Sequence, residues 1–116
     1  MADGNWKDDL SILIKSTDER KALFLDTDNI APLIYNFIYS LKKKIPEDIG
    51  IISVDNNPIC ENLPVSLSSI EHPKIILGNL AFDLLHKKMN STEQRSEYRK
   101  INHIIIDTKL LERDSI

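Results

Sequence analysis

The sequence predicts an α/β fold, a small parallel sheet in three α/β/α layers with a helix on either face. Three observations carry this. Two compact apolar runs, Ala22–Leu25 and Ile49–Val54, each end in an acidic residue. Between them lies a long stretch with apolar residues at helical spacing, so strand, helix and strand follow in the order of a βαβ unit, whose strands are parallel. A second strongly helical stretch opens at Pro73, and alternation of this kind places helices against a sheet.

The elements follow in chain order. From Asn5 to Ser16, Trp6, Leu10, Leu13 and Ile14 recur at helical spacing. Ala22–Leu25 is a buried strand that runs into Asp26, Thr27 and Asp28. The next helix is read from Asn29 to Lys44: Asp28 or Asn29 caps it, Pro32 falls in its first turn, and Ile30, Ile34, Phe37, Ile38 and Leu41 trace one face. Lys42, Lys43 and Lys44 then close it, where cations suit the helix dipole, and Ile45-Pro46 stops it. Ile49–Val54 is the second strand, and 56–67 is a loop with Pro58 and Pro64. Leu67–Ile70 reads as a short strand. The helix from Pro73 carries Ile76, Leu77, Leu80, Ala81, Leu84 and Leu85 on its apolar side. Asn90–Asn102 is polar and read as mobile, His103–Ile106 is a third β-like run, and the tail TKLLERDSI has no clear period.

Composition narrows the function. The chain has 116 residues, enough for one compact domain, with a net charge of −3. That mild acidity argues against a nucleic-acid-wrapping surface. No apolar run approaches a membrane span, and MADGNWKDDL is not a signal peptide. The single Cys60 forms no internal disulfide or Cys-rich zinc site, so a cytoplasmic, reduced setting fits. With 3 glycines there is no Gly-rich phosphate loop. The three histidines lack the i, i+4 pairing of a metalloprotease, and Ser68 and Ser69 lack a nucleophile elbow. None of these patterns points to a catalytic centre or a cofactor.

In an open parallel sheet, ligands gather at the carboxyl ends of the strands. There stand Asp26, Thr27 and Asp28 after the first strand and Asp55 after the second. Carboxylates accept hydrogen bonds and donate none, so such a rim suits a ligand rich in hydroxyls, such as a sugar. Mg²⁺ is a second user of the same acids. Plainer readings stand beside these. Asp28 is a helix cap, Asp55 before Asn-Asn-Pro is a turn former, and Trp6 is a packing anchor before it is a sugar-stacking platform.

Four segments carry a family resemblance. IPEDIGIISVDNN is similar to the V-P-E-D-I-x-V-V-G-F-D-D signature of the LacI/GalR transcription regulators. ALFLDTDNIAPLIYNFIYSLKKK resembles that family's A-x-x-x-x-N-D-x-x-A-x-G-x-x-x-A-L strand and helix, LPVSLSSIEHPKIILGNLAFDLL its P-P-L-T-T-I-x-Q-P-x-x-x-L-G-x-x-A-x-x-L-L segment, and IIIDTKLLERDSI its closing strand and L-x-x-R-x-S finish. The order is right and the coverage runs from Lys21 to Ile116. The same core occurs in arabinose-repressor-type regulators. The chain departs from the pattern at Thr27 (family Asn), Ser53 (Gly), Val54 (an aromatic), Asn56 (the second Asp) and His72 (Gln).

The resemblance implies the C-terminal part of a two-lobed periplasmic-binding-protein-like (type I) effector domain that binds a sugar or similar small molecule and controls DNA binding by a separate N-terminal domain. Residues 1–66 would be C-terminal lobe, 67–89 the hinge crossing and a helix of the other lobe, and 103–116 the return strand and tail. The chain would then be a C-terminal fragment, with Met1-Ala2 a cloning remnant. Carried over residue by residue, Thr27, Asp55 and His72 would line the effector site, with Trp6, in a GNW resembling a G-D-W of some members, a further stacking candidate. Asp28 would hold the helix start. Pro32, Ile59 and Leu63 would lie in a dimer interface. The apolar face of the Pro73–Met89 helix, lacking the sheet it covers in the family, would drive self-association or a swapped oligomer. Two other readings stay open, a sugar-binding transport protein fragment and a phosphoacceptor receiver-like domain that would use Asp26, Asp28, Asp55, Ser69 and Lys109.

Overall fold

The computed structural model describes residues 5–90 and 103–116. They divide into two compact units, Met1–Glu71 with Leu110–Ile116, and His72–Lys109. The first unit includes the third strand, which is hydrogen-bonded into its sheet.

The sheet is four-stranded in the order β1-β2-β3-β4, with β1 Lys21–Phe24, β2 Ile49–Val54, β3 Ser68–Glu71 and β4 Lys109–Leu111. β1 pairs parallel to β2 with Phe24 opposite Ile52, and β2 pairs parallel to β3 with Ser53 opposite Ser69. The sheet is mixed but mostly parallel.

Both helices of the first unit lie on one face of the sheet. In α1, Trp6–Lys15, Ile14 is buried, while Asp8 and Asp9 begin the helix and Lys15 ends it, as the dipole favours. In α2, Ala31–Ser40, Ala31, Ile34, Tyr35 and Ile38 are buried, a stripe at i, i+3, i+4 and i+7. They meet Ile49 and Ile51 of β2, with Leu25, Ile45, Cys60 and Leu67 completing the core. The opposite face carries Ala22, Phe24 and Ile52, and Phe24 is 65% exposed. A parallel sheet is ordinarily covered on both faces; among the described residues of the first unit, both helices lie on one of them.

Two further expectations change. α2 stops at Ser40, not Lys44. Lys42 adopts a left-handed φ of 57°, and the Lys43 and Lys42 amides donate to the Ile38 and Tyr39 carbonyls. This is a Schellman ending, so the lysines follow the helix instead of closing it. His103–Ile106 forms no strand, and Ile105 is 93% exposed. β4 lies instead at Lys109–Leu111, in the segment with no period. A three-residue strand is too short to show alternation. Asn90 ends α3, and the rest of the polar stretch read as mobile, 91–102, lies outside the described residues.

The second unit is built on α3, Lys74–Asn90. It starts where Pro73 permits, with the Leu77 amide donating to the Pro73 carbonyl at 2.9 Å. None of its residues is buried, and Ile75, Phe82 and Met89 are 81%, 66% and 72% exposed.

Candidate functional site

The register that sets Phe24 opposite Ile52 continues past the strand ends. The Leu25 amide donates to the Ile52 carbonyl, and two residues on Thr27 arrives beside Asp55. The Thr27 hydroxyl donates to Asp55 Oδ2 at 3.1 Å. Both side chains are half-buried at the carboxyl edge of β1 and β2. Parallel pairing thus joins two of the residues that the sequence singles out.

The helix start belongs to Thr27, not Asp28. The Thr27 hydroxyl accepts from the Asn29 amide at 3.4 Å and caps a short 3-10 turn, Asp28–Ile30. Asp28 is fully buried instead. Its carboxylate accepts from the Ser53 hydroxyl, from the Ser69 hydroxyl at 2.8 Å and from the Asn57 amide at 2.6 Å. Burial alone would raise the Asp28 carboxyl. The hydrogen bonds from Asn57, Ser53, Ser69 and the Cys60 thiol outweigh it and hold the group below its ordinary value. Cys60 is pushed up to about 11 by burial and by its hydrogen bond to Asp28, so it stays a thiol.

That Ser53 and Ser69 serve as buried partners of Asp28 is what sequence reasoning missed. The signal was available. Ser53 stands on the inward face of β2, two residues after Ile49 and Ile51 have set the alternation, and a hydroxyl at such a position needs a buried partner. Among the described residues, no buried side-chain N or O lacks a hydrogen bond.

The chain after β2 is turned sharply. Asp55 and Asn56 have φ of 106° and 48°, conformations that cost non-glycine residues about 1–3 kcal/mol each unless the surroundings fix them. Here the surroundings do. The Asp55 amide donates to the Ile70 carbonyl at 2.9 Å, the Asn56 amide to the Ser69 hydroxyl at 3.0 Å, and Asn56 Nδ2 to Glu71 Oε1 at 3.1 Å. Asp55 is therefore both a turn residue and the carboxylate presented beside Thr27.

The other candidates lie elsewhere. Trp6 meets Phe37 edge-to-face, with ring centroids 5.3 Å apart, and borders an apolar groove of about 330 Å³ with Leu10, Leu23, Leu25 and Ile34. A second groove of about 450 Å³ lies on the open sheet face over Ala22, Phe24, Gly50 and Ile52. Neither groove is lined by Thr27 or Asp55. His72 begins the second unit. Pro32 sits in the first turn of α2, Ile59 in a 3-10 turn over Pro58–Glu61, and Leu63 packs against the core.

The receiver-like reading does not survive this geometry. It would use Asp26 and Asp28 together with Asp55, but Asp28 is sealed among neutral donors while Asp26 is exposed. Among the described residues, no group of three or more His, Cys, Asp or Glu is placed to hold a metal ion. Nor is any described helix long and apolar enough to cross a membrane.

Comparison with known proteins agrees with this architecture. A family described as periplasmic binding protein-like domain matches residues 2–116. The ribose operon repressor of Escherichia coli K12 is 25% identical over 87 residues, which cover 75% of this chain and 26% of the repressor. The transcriptional repressor PurR of Vibrio vulnificus is 30% identical over 96 residues, 78% of this chain and 29% of that protein. The chain thus spans less than a third of these relatives. Among solved structures, a LacI family regulator from Enterococcus faecalis with bound ribose is 28% identical, with a TM-score of 0.72 over 94% of this chain and 38% of its own. A LacI-type regulator from Alkaliphilus metalliredigens complexed with D-xylulofuranose is 27% identical, with a TM-score of 0.71 over 93% and 37%. The chain belongs to the periplasmic binding protein-like domain family, in the form that LacI-family transcription regulators carry.

Proposed function

We propose that this chain is part of the effector-sensing domain of a LacI-type transcription regulator and that its ligand is a small sugar. It acts by binding, not by catalysis. The observation that carries the reading is the Thr27–Asp55 pair at the carboxyl edge of adjacent parallel strands. Asp55 offers sugar hydroxyls a carboxylate, and the Thr27 hydroxyl, whose proton goes to Asp55, keeps a lone pair that can accept from them. The ribose and xylulofuranose held by similar regulators belong to the same hydroxyl-rich class. His72 is a further ligand candidate through the family motif.

The sugar acts by population shift. It favours one arrangement of the effector domain, and the DNA-reading domain of the whole regulator responds. The working regulator is a homodimer in the cytoplasm, with Pro32, Ile59 and Leu63 at or near its interface, and reaches DNA only through a domain outside this chain. The open apolar side chains of α3 support self-association of the chain alone. Transport proteins of the same fold also bind sugars; the regulators among the relatives favour the sensor reading.

Isothermal titration with D-ribose and D-xylulose tests the proposal. The whole regulator is expected to bind one of them, and Asp55→Asn to weaken it by about tenfold or more, since a hydrogen bond to a charged group contributes about 1.5–3 kcal/mol. This chain alone is expected to bind only at millimolar concentrations. Unchanged affinity in both Asp55→Asn and Thr27→Ala would remove these residues from the site.

A further inference from the structure

We propose that Arg113, in the tail, is a positioning residue of the Thr27–Asp55 site. It fixes Asn56, and through Asn56 the left-handed Asp55 whose carboxylate meets the ligand. The inference rests on the sugar-binding reading of Asp55 given above and adds a residue far from it in sequence.

The tail is sewn into the sheet at its buried serine. Ser115 accepts from the Ile51 amide through its carbonyl at 2.7 Å, donates its hydroxyl to the Ile51 carbonyl at 2.6 Å, and accepts from the Ser68 amide at 2.8 Å. It takes up the backbone groups of β2 and β3 just before these strands begin to pair at Ile52 and Ser68. Two residues earlier, the Arg113 amide donates to the Ser68 hydroxyl at 2.8 Å. The backbone that carries the guanidinium is thereby anchored on either side.

The guanidinium then spans two acceptors. NH1 donates to the Leu67 carbonyl and NH2 to Asn56 Oδ1, each at 2.8 Å. Glu61 lies 3.4 Å from NH2 but is largely exposed, whereas the Arg113 side chain is 15% exposed. A planar fork can serve a carbonyl and an amide oxygen at once, and a lysine ammonium at the end of a flexible stem cannot hold that geometry.

What the fork holds is a strained turn. Asp55 and Asn56 both have positive φ, so nothing in their local preference keeps the Asp55 carboxylate aimed at Thr27. Asn56 is gripped at three points, its amide by Ser69, its Nδ2 by Glu71 and its Oδ1 by Arg113. Asp28 secures the next residue through the Asn57 amide and backs Ser69 from the core. Removing Arg113 frees the one grip that comes from outside the β1–β3 core, and the turn gains conformations in which Asp55 no longer faces Thr27.

Backbone amide exchange at Asn56 and Asn57, read by NMR together with a D-ribose titration, tests this in Arg113→Ala, Arg113→Lys and the control Asp114→Ala. Asp114 tethers the same tail through Ser66 and does not touch Asn56. Arg113→Ala is expected to speed exchange at Asn56 and Asn57 by about tenfold and to weaken ribose by a similar factor, with Arg113→Lys in between and Asp114→Ala unchanged in both. Folded Arg113→Ala or Arg113→Lys with wild-type exchange at the turn overturns the proposal. So does faster exchange with unchanged ribose affinity, or an equal loss in Asp114→Ala, which would mark a merely structural tail. If Arg113→Ala does not fold, Arg113→Lys decides by the same two readings. Should the wild type bind neither D-ribose nor D-xylulose, the sugar reading fails, while the exchange measurement still decides whether Arg113 holds the turn.

Discussion

The Asp28 cluster and helix α3 are opposites. Around Asp28, a buried charge is met by two hydroxyls, from β2 and β3, and by the Asn57 amide of the loop after β2, and every buried polar side chain described there has its partner. Along α3, apolar residues stand at clear helical spacing, yet none is buried. Periodicity therefore tells where a helix forms but not what it meets. A polar residue on an inward face tells more, because it requires a particular partner and so a particular neighbour in space.

The largest effect that would break this contrast is expected at Asp28. Asp28→Ala leaves the Ser53 and Ser69 hydroxyls and the Asn57 amide without an acceptor, and urea unfolding should show a loss of about 3–5 kcal/mol. The same residue sets an acid dependence. Its carboxyl lies lower in the folded chain than its ordinary value of 3.8, so the folded state binds fewer protons there than the unfolded one. The stabilisation is complete above that ordinary value and is lost as pH falls through the lower folded one. Unfolding midpoints measured from neutral pH down into the range below 3.8 should fall in the wild type, and Asp28→Ala should lack that share of the slope.

Tyr35 sharpens the comparison at intermediate size. Its hydroxyl donates to the Val65 carbonyl at 3.1 Å, and burial raises its ionisation far above the ordinary phenol range. Tyr35→Phe removes one neutral hydrogen bond and keeps the ring, so a loss of about 1 kcal/mol is expected in the same unfolding measurement. The smallest effect belongs to α3. Leu85→Ala should change the stability of the monomer by less than about 0.5 kcal/mol, as exposed positions do. Leu85→Glu should instead show as reduced self-association in sedimentation velocity. A large unfolding loss at Leu85 would mean that α3 is packed and would erase the contrast.

Much of the first unit was legible in the sequence. Ile49–Val54 is recovered residue for residue, and the acid-terminated strands gave the parallel pair that unites Thr27 with Asp55. The misreadings share a physical cause. Asp28 before a helix has the local signature of a cap, yet the cap is Thr27, because the serines that draw Asp28 inward come from β2 and β3, distant in sequence. Lys42 hides a helix end because a lysine rarely takes the left-handed conformation that a glycine would announce. The strand at Lys109–Leu111 and the fork of Arg113 are placed by hydrogen bonds to residues far away in the chain, which no local pattern records.

The most direct test of the account maps ribose onto the chain. In ¹⁵N–¹H spectra titrated with D-ribose to high millimolar concentration, the largest shifts should fall at Thr27 and at Asp55–Asn57, and Asp55→Ala should abolish them. Shifts clustered instead on the open face of β1 and β2, around Phe24 and Ile52, or shifts that persist in Asp55→Ala, would contradict the claim that the carboxyl edge of the parallel strands holds the ligand.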